Sequence, residues 1–226
     1  MNKFMFTILV LLSVLFGDNS RAGLLSIDIP NALPVEGTSY DMVNVFGVPT
    51  GESYLDFTNI PYVSTLRTYN STLTKIDNVN IDLVLSYDDS AVSLERSYVA
   101  RYHVSNQSRL DCSGSFIGLI SVVNQGVLNF SSGTTLYLEL FDSSITNIYG
   151  GEVIELDMGD ESEVNIYGYD FDYVNSKLIG FWQNNDPFEI LMHPDAYDKV
   201  SLITIPEPAS LALLALGGLI INRKRL

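Results

Sequence analysis

Asp142 and Asp160 stand eighteen residues apart, and each opens a segment that ends in Ile-Tyr-Gly, at Gly150 and at Gly168. If the chain stacks on that interval, the two carboxylates lie about one strand spacing apart, ~4.8 Å. Carboxylates that close repel each other, so one holds its proton to higher pH or the pair recruits a cation. The chemistry on offer is an acid/base pair for glycan cleavage or a Ca2+ site. Asp88, Asn106 and Asn124 extend the same column at the same step. Asp157, Glu161, Glu163, Asp170 and Asp172 add charge close by. Tyr149 and Tyr167 fall in register and offer ring faces on which sugars stack. The simpler reading is a set of turns on a solvated acidic face, and it is favoured. The Gly-Gly-x-Gly-x-Asp repeat of calcium-binding nonapeptides is absent, and Gly150-Gly151-Glu152 is a poor echo of it.

Other chemistry is sparse. Arg101 and His103 flank Tyr102, with Arg109 nearby. A lyase uses such a basic group, but an outward ladder of polar residues accounts for it with less. There is no Gly-x-Ser-x-Gly elbow and no phosphate-binding glycine loop. His103 and His193 are the two histidines and Cys112 the one cysteine. No metal-ligand spacing results, and no intrachain disulfide can form. The expectation is a chain with no catalytic residues, no metal ligands and no cofactor, Ca2+ being the one ion the acidic column suits.

What must position these residues is a repeat. The eighteen-residue step continues upward through Asn124-Gln-Gly-Val-Leu-Asn-Phe130, Asn106-Gln-Ser-Arg-Leu-Asp-Cys112 and Asp88-Asp-Ser-Ala-Val-Ser-Leu94, with a fainter copy at Asn70-Ser-Thr-Leu-Thr-Lys-Ile76. Each copy is a polar turn that opens on Asn or Asp, followed by alternating apolar positions such as Leu128/Phe130 and Val164/Ile166. A second alternating strand precedes each turn: Val84/Ser86, Tyr102/Val104, Ile120/Val122, Leu138/Leu140, Leu156/Met158. Alternation buries one face and exposes the other. Two strands per eighteen residues, kept in step, predict an all-β parallel β-helix, a solenoid of about six eighteen-residue rungs. Phe130, Ile148 and Ile166 should stack inside, with Cys112 in their register as a small buried hydrophobe. Asn129, Asn147 and Asn165 should form an amide ladder. A left-handed helix would carry an aliphatic residue at every sixth position. The series Val122, Leu128, Thr134, Leu140, Thr146 breaks at Glu152, which favours a right-handed column. Residues 66–173 are assigned to the repeats, 23–65 to an N-terminal cap and 174–204 to a C-terminal cap that guards an open sheet edge.

Both ends read as processing signals. Lys3, the apolar run Phe4 to Phe16 and the small residues Ser20 and Ala22 make residues 1–22 a secretory signal peptide cleaved after Ala22. At the other end stand Pro206-Glu207-Pro208, an apolar run from Ala209 to Ile221, and Arg223-Lys224-Arg225. As a helix the run spans roughly 20 Å, short for a ~30 Å hydrocarbon core, so the bilayer must thin or flanking cations snorkel. The basic cluster would remain cytoplasmic. The two prolines bar helix from Glu207 and hold it extended.

Residues 205–226 resemble the PEP-CTERM sorting signal of exported bacterial proteins, whose three parts are present in order. The resemblance implies export through the Sec translocon and signal peptidase. It implies transient anchoring in the inner membrane by a short transmembrane helix and cutting at Pro206-Glu207-Pro208 by an exosortase. The resemblance further implies a setting of exopolysaccharide and biofilm, and delivery to the cell surface or beyond. It covers a tenth of the chain and names no activity.

Charge narrows the partners. The chain of 226 residues carries a net charge of −15. Losing Lys3, Asp18 and Arg21 with the leader and Arg223, Lys224 and Arg225 with the tail leaves 7 basic and 26 acidic residues, a net charge of −19. Such a surface repels nucleic acid and anionic lipid. A hydrophobic content of 46% with many Val, Ile, Tyr and Phe argues for a packed β core rather than acidic disorder. The sequence therefore points to an exported, non-catalytic surface or matrix protein associated with exopolysaccharide. A polysaccharide lyase or hydrolase on the same scaffold, and a calcium-binding adhesive module, are the alternatives.

Overall fold

The computed structural model describes residues 22–28, 37–46, 53–159 and 161–206. Residues 1–21 of the leader, Asp160, Glu207, Pro208, the apolar C-terminal run and Arg223, Lys224 and Arg225 lie outside the described residues, while Ala22, the expected cleavage position, opens the first strand.

In chain order the strands are β1 (Ala22–Asp28), β2 (Tyr40–Phe46), β3 (Ser53–Thr58), β4 (Val63–Tyr69), β5 (Thr72–Asp77), β6 (Asn80–Ser86), β7 (Ala91–Glu95), β8 (Tyr98–Val104) and β9 (Arg109–Ser113). They continue as β10 (Ser115–Val122), β11 (Val127–Phe130), β12 (Gly133–Leu140), β13 (Ile145–Ile148), β14 (Glu152–Met158), β15 (Glu163–Val174), β16 (Lys177–Phe181), β17 (Pro187–Met192) and β18 (Val200–Thr204). A 3-10 turn, Pro194–Lys199, precedes the last strand.

Two parallel sheets face each other. The first stacks β1, β2, β4, β6, β8, β10, β12, β14 and β17. The second stacks β3, β5, β7, β9, β11, β13, β15 and β18. From β4 to β15 the paired residues of successive turns stand eighteen positions apart, as in Leu66↔Val84, Ile120↔Leu138 and Phe130↔Ile148. Six turns share that step, and the solenoid is the one the repeat predicts. Period-two side chains explain its strictness: a slip of one residue would turn the whole inner row to solvent.

The core is a set of vertical columns. From the second sheet Ile76, Leu94, Cys112, Phe130, Ile148 and Ile166 all point inward and are fully buried. From the first come Leu66, Val84, Tyr102, Ile120, Leu138 and Leu156. A third inner column, Val63, Ile81, Val99, Ile117, Thr135 and Val153, sits three residues upstream rather than two. The position between them drops out of the ladder at each level, as at Ala100, Gly118 and Leu136. Each strand of the first sheet therefore bends there. A Cβ on Gly118 would stand 2.6 Å from the Ala100 carbonyl oxygen.

The corners after β4, β6, β8, β10 and β12 each use one residue in the left-handed region: Asn70, Asp88, Asn106, Asn124 and Asp142, with φ between 55° and 58°. Among residues with a Cβ, Asn and Asp tolerate that conformation best. This is the physical reason that each repeat opens on Asn or Asp.

The flanks extend the column. Residues 23–65, expected as a cap, supply β1, β2 and β3 in parallel register with the next turns, at steps of 23 (Tyr40↔Val63) and 19 (Ser53↔Thr72). Residues 174–204 supply an antiparallel excursion and a final turn. β15 runs on past the second sheet to Val174 and pairs antiparallel with β16, which pairs antiparallel with β17. β17 and β18 then rejoin the column thirty-six residues after their partners, at Glu155↔Leu191 and Val164↔Val200. One whole period has been diverted into the hairpin.

Candidate functional site

The αL corners bring the predicted polar column together. Asn106 Nδ2 donates to Asp88 Oδ1 at 3.3 Å and Asn124 Nδ2 to Asn106 Oδ1 at 3.5 Å. The backbone N–H groups of Asn70 and Asn124 donate to Asp88 Oδ2 at 3.4 Å and Asp142 Oδ2 at 3.3 Å. Each carboxylate thus accepts from the turn eighteen residues earlier. Asp89, Gln107, Gln125 and Ser143 complete a shallow recess of about 590 Å³. Asp142 lies where the spacing puts it, whereas Asp160 is outside the described residues. Among the described residues no group of three His, Cys, Asp or Glu side chains gathers to hold a metal ion.

On the outer side of the second sheet the amide ladder forms. Asn165 Nδ2 donates to Asn147 Oδ1 at 3.1 Å and Asn147 Nδ2 to Asn129 Oδ1 at 2.9 Å. Asn129 Nδ2 then reaches Asp111 Oδ1 at 2.7 Å, which also accepts from Arg109 Nε at 2.8 Å. Beside the ladder Tyr149 stacks on Tyr167, ring centres 4.4 Å apart and planes 22° apart. Tyr149 is 44% exposed. Partial burial, with Tyr167 adding to it, pushes its phenol above the usual range.

The basic group does not converge. Arg101 and His103 point outward from β8 in the first sheet, while Arg109 is bonded to Asp111 on β9 across the core. Partial burial lowers the His103 pKa. Cys112 is buried, and desolvation pushes its thiol up to about 12. A thiol so held is the protonated, unreactive form.

Three features were not anticipated from sequence. Asp77, with its side chain 5% exposed, is gripped by the Arg96 guanidinium, Nε donating to Oδ1 at 2.9 Å. That bond holds its carboxyl below the usual range. A buried hydroxyl cluster joins Thr68 Oγ1 to Ser86 Oγ (3.1 Å) and Ser90 Oγ (3.0 Å), with Tyr102 Oη 2.9 Å from Ser86 Oγ. It fills three inner positions that the apolar pattern leaves polar, Thr68, Ser86 and Ser90. A groove of about 740 Å³ opens where the hairpin splays from β14, lined by Glu152, Ile154, Asp170, Lys177, Phe181 and Leu191 among others. Gly151, which also lines it, accepts a bond at its carbonyl from Trp182 Nε1 at 2.9 Å.

Among the described residues the column ends at Ile205. The Ile205 N–H donates to the Gly168 carbonyl at 2.8 Å, the last rung of the second sheet, and Pro206 follows without an N–H to continue it. Residues 204–225 match the PEP-CTERM protein-sorting motif. The chain carries a PEP-CTERM sorting signal. That motif implies an exported protein, transiently membrane-anchored and processed by an exosortase. The sorting signal begins within the final strand, so Pro206 is at once the end of the ladder and the start of the processing triplet. Among the described residues no helix is long and apolar enough to cross a membrane. Beyond the sorting signal, no curated protein and no solved structure matches the chain.

Proposed function

We propose that the mature chain is a non-catalytic surface or extracellular-matrix protein that associates with exopolysaccharide. The observation that carries this reading is the sorting signal joined directly to a solenoid whose polar columns bond along the stack rather than converging on a point. Asp88, Asn106, Asn124 and Asp142 hold turns together. Arg101 and Arg109 lie on opposite sheets, so the basic group does not gather at one point. What the outer faces offer instead is repeated, flat and stackable: the Tyr149/Tyr167 pair and the Asn129–Asn147–Asn165 ladder. Repetition at one strand spacing suits a long polymer held by many weak contacts better than a small substrate held by one strong one.

The test is co-sedimentation of the mature chain with exopolysaccharide from its host, with the reaction followed for new reducing ends and unsaturated uronates. Retention without bond cleavage is expected, and Tyr149→Ala with Tyr167→Ala should weaken retention severalfold. Release of product that Asp142→Asn abolishes would establish the enzyme instead. A rise in melting temperature of several degrees on adding Ca2+, lost in Asp88→Asn with Asp142→Asn, would establish the calcium-binding module.

A further inference from the structure

We propose that in its anchored form the solenoid stands end-on against the membrane, touching a zwitterionic phospholipid surface through the outermost strand of the first sheet. The inference rests on the anchoring that the sorting signal implies, and adds an orientation and a contact. Three observations carry it.

The first is reach. The last ladder bond is at Ile205, and the apolar run begins at Ala209. Only Pro206, Glu207 and Pro208 lie between, and three residues span at most about 11 Å. With the run in the bilayer, the final turn of the column is held within about two headgroup layers of the hydrocarbon.

The second is the order of strands at that end. Beyond β14 the first sheet continues through β17, then β16, then the Tyr169–Val174 portion of β15. That portion is therefore the strand of this sheet farthest along the column, at the end from which the chain leaves for the membrane.

The third is what it exposes. Tyr173 is 38% and Val174 41% exposed, at the tip where β15 turns into β16. Tyr173 packs against Tyr197, ring centres 4.7 Å apart. An apolar residue beside a pair of tyrosines is the kind of group that settles at a membrane–water interface. Asp172 and Asp198, both exposed, flank the tip and disfavour anionic headgroups, which leaves zwitterionic lipid.

The full chain, tail intact, is reconstituted with phosphatidylcholine vesicles that carry a lipid-borne quencher. Because Cys112 is buried, Val174→Cys and Asp89→Cys each take a single fluorescent label, the second seven strands up the column in the order of the first sheet, roughly 34 Å. Quenching severalfold stronger at 174 than at 89 is expected. A flexible Gly/Ser insert of about 40 residues between Ile205 and Pro206, roughly 35 Å in r.m.s. length, should bring the two sites level. Equal quenching without the insert overturns the orientation, and unchanged quenching with it overturns the short spacer as the cause. Vesicle flotation reports anchoring separately. A chain that does not float removes the anchored form itself, whereas one that floats without preference between the sites removes only the end-on contact.

Discussion

Asn124 shows how much one residue type decides. Its φ of 57° is open to glycine and costs most residues with a Cβ about 1 kcal/mol or more. Asn124→Gly should therefore leave the denaturant midpoint of the mature chain nearly unchanged, while Asn124→Ala should lose about 1 kcal/mol. Equal losses would mean that the side-chain ladder, not the backbone, sets the preference. Asp77 gives the pH dependence. Its pKa is lower folded than unfolded because Arg96 bonds the carboxylate. The stabilisation is complete above the ordinary aspartate range and fades as pH falls through the lowered value. Asp77→Asn should lower the melting temperature at neutral pH and flatten the acid limb of its pH profile. Cys112 should react with a disulfide reagent only after unfolding, since burial holds its thiol near 12. The left-handed corners were half legible: the recurrence of Asn and Asp was plain, but their dihedral role appears only with the backbone. The Asp77–Arg96 pair was not legible, because it joins positions nineteen apart and so falls off the eighteen-residue register.

The two strands of each turn were readable to different degrees. The second-sheet strand alternates cleanly, and Leu128/Phe130 and Val164/Ile166 are buried as alternation requires. In the first sheet the bend at Ala100, Gly118 and Leu136 shifts Val99, Ile117 and Thr135 out of phase by one residue. A search for period two finds Tyr102/Val104 and stops short of that third column. Packing at this scale is testable at Phe130, fully buried between Cys112 and Ile148. Phe130→Ala should cost about 3–5 kcal/mol, measured by urea denaturation. Gly151, at φ 86°, would place a Cβ 2.7 Å from the Gly133 carbonyl oxygen and 2.8 Å from Phe130. Gly151→Ala should be destabilising and should also disturb the Trp182 bond to that residue's carbonyl, read as a shift in tryptophan emission.

At the scale of the molecule, the eighteen-residue step makes length adjustable in whole units. Removing residues 117–134 deletes one period and joins positions with the same register. The shortened chain should keep its β-type circular dichroism and unfold cooperatively with a modest loss of stability. Removing seventeen residues instead should abolish the fold, since every inner side chain beyond the junction would turn outward. The sequence made the six regular turns visible but not their continuation. Steps of 23 and 19 before β4 and β5, and the diverted period after β15, each hide a strand from a search at fixed interval. Strands pair by backbone geometry and tolerate such insertions at corners, where loops cost little. The tail was legible because its signal is linear and independent of the fold.

The ladder bonds between turns run along the axis of the column, and the chain leaves that axis from β18, five residues held on one edge by β15. Drag on a cell-attached molecule would enter through Ile205 and load those few bonds one after another, like a zip, rather than all together in shear. The terminal turn would then tear first and lengthen the leash by several residues, while the six regular turns above it kept their shape.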